Sequence, residues 1–362
     1  MVMMERRKTR RIHIGNVPIG DGAPVPVQSM TKTDTRDSKA TLEQIRRVAG
    51  AGCDIIRCAV PDEKAAIALK TICAESPLPV IADIHFSHKL ALMALDAGVK
   101  GLRLNPGNIR KPEYVRMIAE KAGKAGIPIR VGVNAGSITD EWREKVHTGQ
   151  CAIEEAMVES ALVQIRLLEE RHFDQIKVAL KASDVLTTIR AYRLMASRCD
   201  YPFHVGITEA GTPGTGIIKS SIGIGALLLE GLADTLRVSL TADPEEEVFV
   251  GIKILRILGL RTAGPEVISC PTCGRTEIDI RSLAERVERH LSGDTIPIKV
   301  AVMGCVVNGP GEAREADVGI AGGKGAGVLF SRGEIIGTCP EGELFDALIR
   351  EIDKIRREKI SK

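Results

Sequence analysis

Pro79-Val-Ile-Ala-Asp-Ile-His-Phe86 is followed by Lys89-Leu-Ala-Leu-Met-Ala-Leu-Asp-Ala97 and then by Gly101-Leu-Arg-Leu-Asn105. The outer two segments are short apolar runs carrying a few polar groups, and the middle one places its apolar residues at helical spacing. Apolar strands alternating with amphipathic helices predict parallel strands buried on both faces. The unit recurs from residue 26 to about 258, with further strands expected at Val25–Met30, Asp54–Val60, Ile127–Asn134, Gln175–Ala182, Phe203–Thr208 and Thr235–Leu240. Helical patterns intervene, as at Leu42–Ala51 and Glu154–Arg171. Eight units in about 230 residues fit a closed (β/α)8 TIM barrel, with an open doubly wound sheet as the main rival.

Around Gly259–Pro265 the repeat stops, which predicts domains at 1–260 and 261–362. The remainder mixes a helix (Ile280–Leu291), an apolar strand (Ile298–Met303), a glycine-rich stretch (Gly319–Gly327) and a charged C-terminal helix from Gly342. This reads as a smaller α/β domain.

With 50 basic and 47 acidic residues, a net charge of +3 and 3% aromatics, the chain has neither a nucleic-acid footprint nor a base-stacking platform. The basic run Arg6-Arg-Lys-Thr-Arg-Arg11 lacks the apolar stretch and cleavage site of an export signal and predicts a solvated arm. No segment reaches the roughly 18 apolar residues of a membrane span. Nine cysteines without an export signal point to a reducing compartment, here the cytoplasm.

The strands carry polar groups toward their C-terminal ends: Gln28, Arg57, Asp83, His85, Arg103, Asn105, Arg130, Asn134, Lys181, Glu209 and Ser239. In a barrel these converge on one mouth, where such enzymes place their active sites. Arg57, Arg103, Arg130 and Lys181 would form an anion site suited to a diphosphate, since guanidinium forks match phosphate oxygens. The bland alternative pairs each cation with a carboxylate such as Asp83 or Glu209. Glu209 is a candidate general acid and His85 a hydrogen-bond donor. Gly211-Thr-Pro-Gly-Thr-Gly216 departs from P-loop spacing, yet a glycine-rich turn opening a helix offers backbone N–H groups to phosphate. Ala321–Gly327 reads as a hairpin or loop.

Beyond the boundary stand Cys270-Pro-Thr-Cys273 and Gly304-Cys-Val-Val-Asn-Gly-Pro-Gly-Glu312. They offer three thiolates, whereas a closed zinc site or an all-cysteine cubane needs four ligands. Cys339 and Glu312 are both open as the fourth; a carboxylate is the more exchangeable and suits a centre that admits substrate. Cys53, Cys58, Cys73, Cys151 and Cys199 have no ligand spacing and read as small core residues.

Taken together, Val27–Thr35, Ala82–Phe86, Arg103-Leu-Asn-Pro-Gly107, Arg130–Asn134, Lys181-Ala-Ser-Asp184, Gly206–Gly211, Asp234–Ser239 and the two cysteine segments resemble the bacterial 4-hydroxy-3-methylbut-2-enyl diphosphate synthases of the methylerythritol phosphate isoprenoid pathway. The resemblance implies a barrel followed by an iron-sulfur domain that catalyses reductive ring opening and dehydration of 2-C-methyl-D-erythritol 2,4-cyclodiphosphate. It implies a [4Fe-4S] cluster on Cys270, Cys273, Cys305 and Glu312, leaving Cys339 a bystander. Arg57, Arg103, Arg130 and Lys181 would hold the cyclic diphosphate, with Asp83, His85, Asn105, Asn134, Thr208 and Ser239 completing the pocket. Glu209 and Asn308 would assist protonation and loss of water. It implies further a head-to-tail homodimer with shared sites, and flavodoxin or ferredoxin as electron donor. A zinc-ribbon binding module on a barrel and an iron-sulfur electron carrier are the rivals from other classes. A pterin-binding synthase could use the polar strands but has no need of the cysteines.

Overall fold

The computed structural model describes residues 5–360 apart from 86, 106–108, 110, 262–263, 292–293, 295 and 306–314. The chain divides into two compact units, Met1–Arg261 and Thr262–Lys362.

The first unit opens with a hairpin, β1 (Ile12–Ile14) and β2 (Val17–Ile19), turned by Gly15 in the left-handed region at φ 60°. The barrel strands follow as β3 (Gln28–Met30), β4 (Ile55–Val60), β5 (Val80–Ile84), β6 (Gly101–Leu104), β7 (Ile129–Asn134), β8 (Ile176–Lys181), β9 (His204–Val205) and β10 (Thr235–Leu236). Strands β3 to β8 pair in parallel and in sequence order, and β9 pairs in parallel with β10. Parallel bridges Val178–Phe203 and Val27–Leu236 join the two sets and close the ring. The barrel is therefore complete, and the open-sheet alternative falls. The last two strands are shorter than the sequence predicts. Past Val205 the pairing thins to single bonds such as Arg237 N–H to Val205 O at 3.0 Å, where Gly206 contributes no side chain to hold a ladder.

The connecting helices are α1 (Ser38–Gly50), α2 (Glu63–Glu75), α3 (His88–Asp96), α4 (Pro112–Ala125), α5 (Asp140–His147), α6 (Ile153–Glu169), α7 (Val185–Ala196), α8 (Pro213–Leu229) and α9 (Pro244–Ile257). Their starts are written locally: the side chains of Asp37, Asp62 and Asp184 accept N–H groups of Ala40, Ala65 and Thr187. The core between helices and strands uses the outward residues of each strand, such as Ile56, Cys58 and Val60 of β4. Cys53 and Cys58 are buried there, while Cys73, Cys151 and Cys199 are half-buried.

The basic arm is not solvated throughout, contrary to the sequence expectation. Arg7 donates to the carbonyls of Cys199 and Tyr201, each at 2.6 Å, with its guanidinium 3.9 Å from the Phe203 ring centre. Arg6 pairs with Asp234 at 3.1 Å. Carbonyls and a carboxylate left over where the short β9 and β10 begin give these forks partners, so they dock.

In the second unit β11 (Glu266–Ser269), β12 (Lys299–Met303), β13 (Val318–Gly323), β14 (Ala326–Ser331) and β15 (Glu334–Pro340) form one sheet in that order, parallel from β11 to β13 and antiparallel thereafter. Helices α10 (Ile280–His290) and α11 (Leu344–Ile360) bury Leu283, Val287, Leu348 and Ile352 with Val300, Val302 and Ile320 of the sheet. The glycine-rich stretch is the β13–β14 hairpin, with Gly325 at φ 72° in its turn.

Candidate active site

Strand parity decides what the barrel encloses. On β8, Ile176, Val178 and Leu180 join the outer core, so Lys177, Ala179 and Lys181 face inward. The same alternation turns Arg57 of β4, Asp83 of β5, Arg103 of β6 and Arg130 of β7 into the interior. Asp83, Arg103, Arg130 and Lys177 are successive register partners across β5 to β8. Arg57, Arg130 and Lys177 thus sit within their strands, deeper than the ends, whereas Lys181 ends β8 and Asp83 and Arg103 are next to last in β5 and β6. Barrel interiors are ordinarily layers of Val, Ile and Leu; this one is a charged network.

Its balance is strongly positive. Arg57, Arg103, Arg130, Lys177, Lys181 and Arg237 lie here with Lys32 above them, and the carboxylates acting on them among the described residues are Asp83, Glu247 and, at Lys177, Asp234. Asp83 meets Arg103 Nη1 at 3.1 Å and Arg57 Nε at 3.4 Å. Glu247 meets Lys32 Nζ at 3.1 Å and Arg237 Nη2 at 3.4 Å, and accepts Leu240 N–H at 2.9 Å. Arg57 also lies against Met30, Nη2 to Sδ 2.9 Å. Arg130 Nε and Nη1, Arg103 Nε and Lys177 Nζ are buried without a hydrogen-bond partner among the described residues.

Burial works against charge on Asp83, but Arg57, Arg103 and Arg130 outweigh it and hold the carboxyl well below the usual carboxylate range. Burial pushes Arg57 down to about 10, opposed by Asp83 and reinforced by Arg237 and Arg103. Arg130 and Lys181 are driven well below their usual values by burial and then by neighbouring cations. Unpaired buried cations cost free energy, and a multiply charged anion relieves it. The alternative in which every cation has a carboxylate fails for Arg130.

Around this core the remaining pocket candidates take varied positions. Asn105 is buried, while His85, Asn134, Thr208 and Ser239 are half-buried. Glu209 is exposed and adopts φ 52°, a left-handed conformation that non-glycine residues avoid. Gly211 at φ 104° leads into α8, whose Gly216 packs against Leu240; a Cβ there would come within 2.6 Å. The selection by strand ends missed Lys177, Arg237 and Glu247 as interior groups. Parity was the available signal, since Lys177 lies four residues before Lys181 and Arg237 two before Ser239.

In the second unit the cysteines gather at the C-terminal ends of adjacent parallel strands. Cys270 follows β11 and Cys305 follows β12, with Ser269 in register with Val302. Gly304 N–H donates to Cys270 Sγ at 3.2 Å, and Glu277 N–H donates to Gly304 O at 3.2 Å, tying the two loops together. Hydrogen bonds from Arg275, backbone and then side chain, lower the pKa of the exposed Cys273 thiol, favouring the thiolate that binds metal. Among the described residues no three His, Cys, Asp or Glu side chains are placed together to hold a metal ion; by donor type, the three thiols are those of an iron-sulfur group. Cys339 lies on β15 opposite Gly327, with β13 and β14 between it and β12. Three strand spacings make that roughly 14 Å, beyond reach of a shared centre. Asn308 and Glu312 lie outside the described residues.

A (β/α)8 barrel with a cation-rich interior, joined in sequence to a small cysteine-bearing α/β unit, defines a class of two-domain barrel enzyme. Residues 9–252 match the GcpE TIM-barrel domain and 266–354 the GcpE protein C-terminal domain. The chain belongs to this GcpE family. It is 58% identical to the 4-hydroxy-3-methylbut-2-en-1-yl diphosphate synthase (flavodoxin) of Geobacter sulfurreducens, over 98% of this chain and 99% of that one. Identity is 56% with the synthase of that name from Thermodesulfovibrio yellowstonii, over 97% of this chain and all of the relative. No helix among the described residues is long and apolar enough to cross a membrane.

Proposed function

We propose that this chain converts 2-C-methyl-D-erythritol 2,4-cyclodiphosphate to 4-hydroxy-3-methylbut-2-enyl diphosphate. Two electrons and protons enter, a ring C–O bond and a C–OH bond break, a double bond forms and water leaves. The observation that carries the reading is the unmatched positive charge inside the barrel. Arg130, Arg103, Arg57 and Lys181 hold the two phosphoryl groups, and Asp83 keeps Arg57 and Arg103 in place. Asn105, Asn134, His85, Thr208 and Ser239 orient the carbon skeleton. Glu209 supplies a proton to the departing hydroxyl, assisted by Asn308.

Cys270, Cys273, Cys305 and Glu312 would hold a [4Fe-4S] cluster, which supplies single-electron reduction when bound. The separation of Cys339 from β12 supports this ligand set over a four-cysteine one. The relatives' name supports flavodoxin as donor, with ferredoxin as the substitute. A head-to-tail homodimer with shared sites, in the cytoplasm, completes the reading.

The test is anaerobic purification with cluster reconstitution, then turnover of the cyclic diphosphate with a low-potential reductant. Brown, active protein is expected; a colourless, inactive protein with stoichiometric zinc would overturn the proposal. Cys305→Ser should lose the cluster absorption and all activity, whereas Cys339→Ser should keep both. Loss of the cluster absorption in Cys339→Ser would move the fourth ligand to Cys339.

A further inference from the structure

Lys177 is the deepest cation of the barrel, 1% exposed. Its Nζ has no hydrogen-bond partner among the described residues. Around it stand Arg130, its register partner on β7, His204 on β9, Arg57 on β4 and Asp234 just ahead of β10. Lys181 shares its strand face, and Arg103 and Asp83 continue the row. Asp234, the nearest carboxylate to influence it, is already engaged by Arg6, by Thr9 Oγ1 and by the N–H of Phe203. His204 presents Nδ1 to Thr235 Oγ1 at 3.1 Å and leaves Nε2 without a partner.

A buried ammonium among cations is unfavourable, and arginine cannot shed its proton where lysine can. Burial and then Arg130 and Arg57 push the Lys177 amine well below its usual range, against Asp234 alone. Without an anion in the barrel, the surroundings of Lys177 therefore favour its neutral amine. A dianion seated on Arg57, Arg103 and Arg130 cancels the positive field that keeps it so.

We propose that Lys177 couples anion binding in this barrel to the uptake of one proton from solvent, becoming an ammonium only when the dianion is present. The inference rests on the diphosphate reading of the site. The proton adds to the Nζ lone pair; no ligand bond breaks and no electron moves. Lys177 is thus a positioning residue that completes the charge of the site beneath the cations.

Isothermal titration of the anaerobic, cluster-loaded protein with 2-C-methyl-D-erythritol 2,4-cyclodiphosphate, without reductant, tests this at pH 8 in buffers of different ionisation enthalpy. Both phosphoryl groups of that ligand stay singly ionised near this pH, so it contributes no proton of its own. The expected slope of heat against buffer enthalpy is net proton uptake, smaller by one proton in Lys177→Met and in Lys177→Arg than in the wild type. The wild-type Kd should weaken by up to tenfold per pH unit as pH rises, and Lys177→Arg should flatten that profile while retaining affinity. Binding with no proton uptake by wild type, or with uptake unchanged in both variants, would overturn the proposal alone. No binding at all would overturn the diphosphate reading and the proposal with it. If Lys177→Met does not fold, Lys177→Arg and the wild-type pH profile decide.

Discussion

The two ends of the barrel are built on opposite principles. At the N-terminal end, Ile12, Ile14 and Ile19 of the hairpin pack on Ile55 and Ile81, the inward residues that begin β4 and β5. Arg6 and Arg7 there find carbonyl or carboxylate partners. One strand step further in, the same inward face carries Arg57 and Asp83, and Arg130 has two nitrogens with nothing to bond. The lower end pairs the terminal nitrogens of its arginines, with Arg7 Nε left over, and stabilises the fold; the upper interior leaves more of its charge unsatisfied and stores the capacity to bind. Function here occupies the part of the core that is least favourable on its own.

Arg130→Met gives the sharpest test of that division. It should lower kcat/KM by about 100- to 1,000-fold, the worth of a charge-assisted phosphate contact. It should also raise Tm, because an unpaired buried cation is replaced by an apolar chain. A fall in Tm as large as that of a core truncation would break the comparison. Ile55→Ala should do the converse, costing about 2–4 kcal/mol in denaturant unfolding while the Kd for the cyclic diphosphate stays unchanged. Arg7→Ala strands the carbonyls of Cys199 and Tyr201 and should cost about 1–3 kcal/mol, again with affinity retained.

The smallest effect is in the pH dependence of stability without ligand. Lys177 and Lys181 have depressed folded values, so between those values and about 10.4, the unfolded lysine value, the unfolded chain binds more protons and stability climbs as pH rises. The slope is at most about 1.4 kcal/mol per pH unit for each proton, and Lys177→Met should reduce it. Asp83 acts at the other limit: its depressed value stabilises the fold above about pH 4, and that contribution is lost on further acidification. Thermal melts from pH 3 to 9.5 check both signs; a flat alkaline limb would mean that the amines are paired after all.

Much of the barrel was legible because parallel strands buried on both faces must be nearly continuous apolar runs, and each helix start carries its own cap. The inward and outward parity of β7 and β8 was also readable, as Arg130 and Lys177 alternate with Ile129, Val131, Ile176 and Val178. What misled the reading was choosing polar residues by nearness to strand ends, which passed over Lys177 and Arg237. The docked arm was missed for a different reason. A run of six residues with five cations looks solvated unless its carbonyl and carboxylate partners, some two hundred residues away, are known.

Alternation of apolar and polar residues in the chain determined the eight βα units, the boundary near residue 261 and the spacing of Cys270, Cys273 and Cys305, since these depend on local periodicity and short separations. Only the tertiary structure decided that the ring closes through Val178–Phe203 and Val27–Leu236, and that Cys339 lies three strands away from β12. It alone gathered these cations into one interior with fewer carboxylates. Charge balance inside a barrel is set by register between strands distant in sequence, and register is a property of pairing that no single strand contains.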